Sequence, residues 1–378
     1  MKKIYLSRIT LILLLFLSFT FTGLTQTNKE AKFTVSSGDL LDVSLKQGDI
    51  NIVTGSGNEV KVFAKNIDED EVNLLTMEQK SGKVEIKFKG EDSDNFKLEC
   101  TIPESMNLDL STGGGNISIK GDLKGTLEAS TGGGNISTGN INGNTKVSTG
   151  GGNVSVGDIN GEANLSSAGG EMKAGLITGK TKISTAGGSI SVGSVSNSAE
   201  ISTAGGNIQV GDIGGKVEVS TAGGNIKVGK VTGSVEISTA GGNIKLESAT
   251  GEVEASTAAG NVNLENIKGS VEANTAAGNI YAELYPESNK KSEFNTAVGN
   301  ITLKIPENSK ATIKASISVL VWSGDESDMD NIKSDFTPTN IKRNKEKKQI
   351  EITYDLNGGG PTIELNVAMG QIEIRKLK

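Results

Sequence analysis

Histidine is absent from the 378 residues of this chain, and cysteine and tryptophan each occur once. Without histidine there is no imidazole to act as a general base, to complete a nucleophile–histidine–acid triad or to bind a metal ion. The single cysteine, Cys100, has no partner for a disulfide within the chain. These absences exclude imidazole-based catalysis and imidazole metal sites, and we expect no catalytic, cofactor-binding or metal-ligating residues.

Large apolar side chains and positive charge are also scarce. Only 35% of the residues are hydrophobic, with nine Phe and four Tyr, whereas Gly occurs 50 times. A compact core of this length normally holds more large side chains, but a repetitive sheet buries only a narrow aliphatic strip per repeat. A net charge of −7 without a basic patch argues against a nucleic-acid partner.

The N-terminus has the pattern of an export signal. A basic start precedes the apolar run Ile9 to Phe21, and the small residues Gly23 and Thr25 follow it. We predict a signal peptide over residues 1–25 and export to the bacterial periplasm, the outer membrane or cell surface, or the medium. The alternative is a retained membrane anchor, for which the apolar run is short. With the signal removed, no transmembrane domain is expected.

One phrase, Ser-Thr-Gly-Gly-Gly-Asn-Ile in its first copy, returns throughout the middle of the chain. The spacing is 18 residues, except for 19 at the first step and 21 at the last. A fixed period this short is typical of a solenoid. The copies start at Ser111, Ser130, Ser148, Ser166, Ser184, Ser202, Ser220, Ser238, Ser256, Asn274 and Asn295.

Each period divides into two nines, as in Val235 to Asn243 and Ile244 to Glu252. Both have apolar residues at positions one and three, which predicts a short strand with one buried face. No proline lies between Pro103 and Pro286, as an unbroken stack of strands requires. We predict an all-β protein: a single β-helix-like solenoid of 18-residue coils, with two short strands per coil and irregular capping ends.

The repeat also divides the chain into segments. Residues 26–105 are predicted to be entry and capping strands, 106–280 the regular repeats, and 281–378 irregular C-terminal coils and a cap. The terminal strands Ile350 to Leu356 and Thr362 to Ile374 are expected to form the capping end.

The two corners of the coil differ in sequence. At the first corner only the last glycine, at position eight, never changes, which predicts a backbone with positive φ there. At the second corner Asn197 replaces the glycine once, consistent with the same interpretation. Position six is Gly or Ala at the first corner and usually Ile or Val at the second, so we expect a core that is narrow at one end.

The chain resembles the bacterial putative adhesin family of β-strand repeats known as DUF4097, and it is similar to head-GIN adhesin domains. The likeness rests on the stretches Leu98 to Ile117, Asn300 to Pro306 and Gly358 to Ile374. The resemblance implies a β-helix-like solenoid at the cell envelope. Its motifs are structural, so it implies no catalytic or binding residues.

Polar columns are the remaining candidates for chemistry. Asn follows the corner glycine in most coils, and we expect a hydrogen-bonded ladder along the axis, with similar ladders of Ser and Thr. An ice-binding or glycan-binding surface is the alternative, although the Ser-Thr pair is expected at a bend. Calcium-binding corners would need an Asp in each coil, whereas Asp122, Asp158 and Asp212 are sporadic. The Gly-rich phrases lack the Gly-Lys-Ser/Thr ending of phosphate loops.

Two functions remain open. The first is a non-catalytic envelope or cell-surface solenoid, an adhesin-type binding or structural module whose partner is unknown but could be a cell-surface glycan or protein. The alternative is an envelope polysaccharide-active enzyme with a site near residues 322–330, where Trp322 precedes an acidic loop. Such enzymes need carboxylates in a groove, usually with aromatic platforms, and the repeats contain no aromatic residue before Tyr281.

Position two of the first strand carries glutamate in five successive coils. If the coils stack in register, these carboxylates form a column with a spacing of about 4.8 Å. Like charges stacked in this way repel one another. The members of the column are Glu200, Glu218, Glu236, Glu254 and Glu272.

Overall fold

The computed structural model describes residues 26–91, 95–287, 289–318 and 329–377. Within these ranges the chain is all-β apart from one 3-10 turn, Val72–Leu74. The strands form two long, mainly parallel sheets of 18 and 17 strands, and the core lies between them. The predicted all-β solenoid is therefore confirmed.

Sheet 1 contains the first strand of each coil. Its strands, in chain order, are β2 (Leu40–Leu45), β5 (Leu75–Lys80), β6 (Lys83–Phe88), β8 (Asn107–Thr112), β10 (Leu127–Thr131), β12 (Thr145–Thr149), β14 (Ala163–Ser167), β16 (Thr181–Thr185), β18 (Ala199–Thr203), β20 (Val217–Thr221), β22 (Val235–Thr239), β24 (Val253–Thr257), β26 (Val271–Ala277), β28 (Ser292–Val298), β30 (Ala311–Ser318), β32 (Asn340–Asn344), β33 (Gln349–Leu356) and β34 (Thr362–Met369).

Sheet 2 contains the second strand of each coil. Its strands are β1 (Gln26–Thr34), β3 (Asp49–Gly55), β4 (Glu59–Asp68), β7 (Lys97–Pro103), β9 (Ile117–Lys120), β11 (Ile136–Thr138), β13 (Val154–Val156), β15 (Met172–Ile177), β17 (Ile190–Val195), β19 (Ile208–Val210), β21 (Ile226–Val231), β23 (Ile244–Ala249), β25 (Val262–Ile267), β27 (Ile280–Leu284), β29 (Ile301–Pro306), β31 (Ile332–Ser334) and β35 (Ile372–Leu377).

The coils stack in register, one repeat per step. Val235 pairs with Val217 on one side and Val253 on the other, and the buried Ile237 pairs with Val219 and Ala255. Each inward side chain therefore packs on its equivalent in the neighbouring coils. Seventeen strands at about 4.8 Å per step give a rod on the order of 75 Å long.

The C-terminal end of the rod is interleaved. The last segment of the chain, β34 and β35, pairs with β28 and β29, although 71 residues separate the paired Asn295 and Asn366. Strands β30 and β31 lie outside it, and the antiparallel β33 and β32 complete the edge of sheet 1. The expectation for Thr362 to Ile374 is thus wrong: this segment is an inner coil, and only β33 belongs to the cap.

The N-terminal end follows the same plan. Strand β2 lies between β6 and β8, and β3 lies between β7 and β9, so the first coil in the chain is not the first coil in space. The antiparallel strands β5 in sheet 1, and β4 and β1 in sheet 2, extend the stack beyond it. Antiparallel strands therefore end both sheets here, and the lysines at positions 29 and 32 of β1 disfavour further edge pairing.

The corner glycines are required by close contact and not by positive φ. Gly260, like its equivalents from Gly115 to Gly278, does not adopt a φ in the left-handed region. A Cβ on Gly260 would lie 2.0 Å from the carbonyl oxygen of Gly242 in the preceding coil. The second corner behaves likewise: a Cβ on Gly251 would lie 2.4 Å from the Gly233 oxygen, and Asn197 has no positive φ. The φ prediction is therefore wrong for the regular repeats at both corners, whereas the first-corner glycines of the two C-terminal coils, Gly299 and Gly370, have φ of +147° and +149°.

We predict that Gly260→Val destabilises the protein far more than Ala259→Val. The first change forces a branched side chain onto the Gly242 carbonyl, whereas Ala259 is exposed at a position where Val298 stands naturally in a later coil. Thermal unfolding followed by circular dichroism measures both. Equal losses in melting temperature would contradict the steric explanation.

The first corner is filled by threonine at position five, because position six points to solvent. Ala240 is exposed, whereas Thr239 is buried. The Thr239 hydroxyl donates to the Gly224 carbonyl oxygen (3.0 Å) and accepts from the Gly242 N–H (3.2 Å). The same donation recurs from Thr112 to Thr296. Sequence reasoning missed this column and wrongly placed position six in the core.

We expect Thr239→Val to cost about 1–3 kcal/mol, because it leaves the buried Gly224 carbonyl and Gly242 N–H without their shared partner. Thr239→Ser is the matched control, since Ser167 performs the same role at 2.9 Å in its own coil. Urea unfolding should show a lower midpoint for the valine variant than for the serine variant. Indistinguishable midpoints would rule out the hydroxyl as the stabilising group.

Candidate binding surface

Asparagine side chains connect the coils along the first corner. The Asn225 Oδ1 accepts from the backbone N–H of Asn243 (2.8 Å), and Asn243 does the same for Asn261 (2.8 Å). The predicted ladder is therefore confirmed, and it extends at the far end to Gln371, whose N–H donates to Asn300. These amides satisfy backbone donors at a bend, where no strand partner is available.

Two of the sporadic aspartates, Asp158 and Asp212, belong to a similar ladder at the second corner. The Asp158 Oδ1 accepts from the Leu176 N–H (2.7 Å), and the Asp212 Oδ1 accepts from the Lys230 N–H (2.9 Å). Asn140 performs the same role for the Asp158 N–H. Since an amide and a carboxylate are interchangeable here, these aspartates act as hydrogen-bond acceptors between coils, which explains their presence without a calcium ion.

The glutamate column is confirmed on the outer face of sheet 1. Glu200, Glu218, Glu236, Glu254 and Glu272 pair in successive register, and all five are exposed. At one end Lys182 contacts Glu200 at 2.6 Å. Beyond the other end Lys291 contacts both Glu293 and Glu364. Among the described residues, none forms an ion pair with Glu218, Glu236 or Glu254.

A shallow groove runs beside the glutamates. Half-buried serines form its floor, which continues over three asparagines whose amides bond to one another at 2.8 Å. The Ser-Thr pairs lie within strands, so the expectation of a bend is wrong: Ser faces outward and Thr inward. The floor residues are Ser220, Ser238, Ser256, Asn274, Asn295 and Asn366.

Sheet 2 carries a different charge pattern on its outer face. Lys227 contacts Glu247 at 3.3 Å and Lys245 contacts Glu265 at 2.9 Å, so these lysines pair within their own sheet. The ammonium of Lys245 holds the pKa of the Glu265 carboxyl below its usual range. The acidic row of sheet 1 is therefore not neutralised from across the rod.

We predict that Glu218→Gln with Glu254→Gln raises the melting temperature at low salt and neutral pH, because two of the repelling charges are removed from the row. The gain should shrink in high salt, which screens exposed charges. The measurement is thermal unfolding of dilute protein at two ionic strengths. A double variant that is unchanged or less stable at low salt would contradict the repulsion.

The remaining candidate groups contribute little to a site. Cys100 is buried, and burial raises the pKa of its thiol to about 12, so it is a poor nucleophile. Trp322 and most of the acidic loop after it lie outside the described residues. No group of three or more Cys, Asp or Glu side chains within the described ranges could hold a metal ion. No helix there is long and apolar enough to cross a membrane.

Two mainly parallel sheets, 18-residue coils and ladders along both corners define this protein as a β-solenoid. Residues 215–355 match the family described as Toastrack DUF4097, which confirms the resemblance predicted from the sequence. No curated protein matches the chain.

Three solved structures are similar in part. A putative adhesin from Bacteroides fragilis NCTC 9343 is 15% identical, over 74% of this chain and 98% of that one, with a TM-score of 0.29. A putative adhesin from Parabacteroides distasonis ATCC 8503 is 18% identical, over 68% and 97%, with a TM-score of 0.30. A putative lipid binding protein from the same organism is 17% identical, over 74% and 93%, with a TM-score of 0.22.

Proposed function

We propose that this chain is a non-catalytic module of the bacterial cell envelope or cell surface, an adhesin-type solenoid that binds a partner through the outer face of sheet 1. The observation that carries the proposal is the form of this face. Among the described residues it is a flat, regular array of exposed carboxylates and half-buried serines and asparagines, with a shallow groove. Such an array suits contact with an extended surface better than enclosure of a small substrate.

The polar chemistry within the rod supports the same proposal. The corner amides, the Asp158 and Asp212 carboxylates and the buried threonine hydroxyls are each engaged with backbone groups. They stabilise the stack and are not aimed at a common point where a reacting atom could sit. Chemistry would need convergent groups around such a point.

Export and surface display form part of this proposal, and protease shaving of intact bacteria tests them. We expect the chain to be cleaved from the outside and to disappear from blots of whole cells. A periplasmic control protein should stay intact under the same conditions. Protection in intact cells, with loss only after permeabilisation, would place the chain inside the envelope and refute surface display.

We predict that the purified chain releases no reducing ends from a panel of envelope and capsular polysaccharides. The measurement compares the wild type with a variant in which the acidic residues 325–330 are changed to amides. Release by the wild type that is lost in this variant would establish the polysaccharide-active enzyme in place of the binding module.

A further inference from the structure

The outer face of sheet 1 has an uncompensated centre. Glu218, Glu236, Glu254 and Glu272 lie in register between two ends that have cationic partners, Lys182 on Glu200 and Lys291 on Glu293. The four carboxylates span about 14 Å, that is, three strand spacings. We call these carboxylates the unpaired acidic row.

The same chain carries a matching cationic element. Strands β32 and β33 form an antiparallel hairpin at the edge of sheet 1, and residues 340–348 are exposed throughout. The Asn344 Oδ1 accepts from the Lys347 N–H, which fixes the turn. Lys342 is paired with Glu351 of the same hairpin at 3.1 Å, and one acidic residue, Glu346, lies in the turn. The cations of the hairpin that form no ion pair among the described residues are Arg343, Lys345, Lys347 and Lys348.

The hairpin does not reach the row of its own molecule. From β26, which carries Glu272, to β32 there are five strand steps through β28, β34, β30 and β33, or about 24 Å. Lysine side chains are far too short to cross this distance. Pairing within one molecule would require β32 and β33 to leave the sheet.

We propose that the acidic row of one copy docks the basic hairpin of a second copy. The row and the hairpin each present four charged side chains that form no ion pair among the described residues. Charge complementarity selects this pairing, and ionic strength weakens it. The inference goes beyond the proposed function, since it concerns contacts between copies and holds whatever partner the chain binds.

The contact joins two different surfaces, so each docked copy still presents a free row or a free hairpin. Such a heterologous contact forms open chains unless its geometry closes a ring. The net charge of −7 makes copies repel one another overall, so we expect weak and reversible association.

The test is sedimentation velocity of the mature chain over a range of concentrations. At low salt we expect the mass to rise with concentration beyond that of a dimer, and at high salt to return to the monomer. A mass that stays monomeric at low salt overturns the proposal.

Charge reversal identifies the surfaces. One variant carries Lys345→Glu, Lys347→Glu and Lys348→Glu, and the other Glu218→Lys, Glu236→Lys and Glu254→Lys. Each alone should lose association, and a mixture of the two should regain it, because each reversed surface then faces its complement on the other variant. Failure of the mixture to associate overturns the pairing.

A matched control separates the contact from net charge. Lys180→Glu, Lys216→Glu and Lys230→Glu change three exposed lysines elsewhere and alter the net charge as much as the hairpin variant does. This control should associate like the wild type. If association survives reversal of the hairpin charges, or if it requires added calcium, then the acidic row binds something other than the hairpin and the proposal is overturned.

Discussion

The stack depends most on the short distance between the corner of one coil and the corner of the next. At Gly242, Gly260 and Gly278 the backbones approach so closely that a Cβ would lie about 2 Å from the carbonyl oxygen beneath it. The carbonyl oxygens of the same glycines accept from the buried hydroxyls of Thr257, Thr275 and Thr296, and the Gly242 N–H also donates to Thr239. Contact and hydrogen bond together admit one register only, because a slip by one residue would place a side chain where no atom fits.

In-register stacking has a consequence for every outward position. Each side chain lies beside its equivalents, so a single residue type repeated in the sequence becomes a continuous column on the surface. Asparagine in this arrangement stabilises the rod through successive amides, as Asn225 and Asn243 show. Glutamate in the same arrangement repels itself, and it is tolerated because the column is exposed to water and counter-ions.

The period of the repeat predicted the fold, the glutamate column and the asparagine ladder, because these depend only on spacing. It did not predict the reason for the glycines, since an invariant glycine fits both positive φ and a close contact. The buried role of Thr239 was hidden because its short strand extends two positions further than the alternation suggested. The last coil was missed because 71 residues interrupt the period, although Asn366 to Gln371 repeats the pattern of Asn295 to Asn300.

The positions of the coil therefore fall into two groups. Positions one, three, five and eight of the first nine are directed into the stack. Positions five and eight carry almost the same residues in every coil, whereas positions one and three vary among buried small and apolar side chains. Position two is exposed on the outer face, and it changes from Glu128, Lys146 and Lys182 to an unbroken acidic row. The early members pair with each other, as Lys146 does with Glu128 at 2.5 Å. The scaffold is uniform, but the charges at position two are paired in the early coils and unpaired in the later ones. The later coils are therefore the part of the rod whose outward charges at this position are not used within the stack.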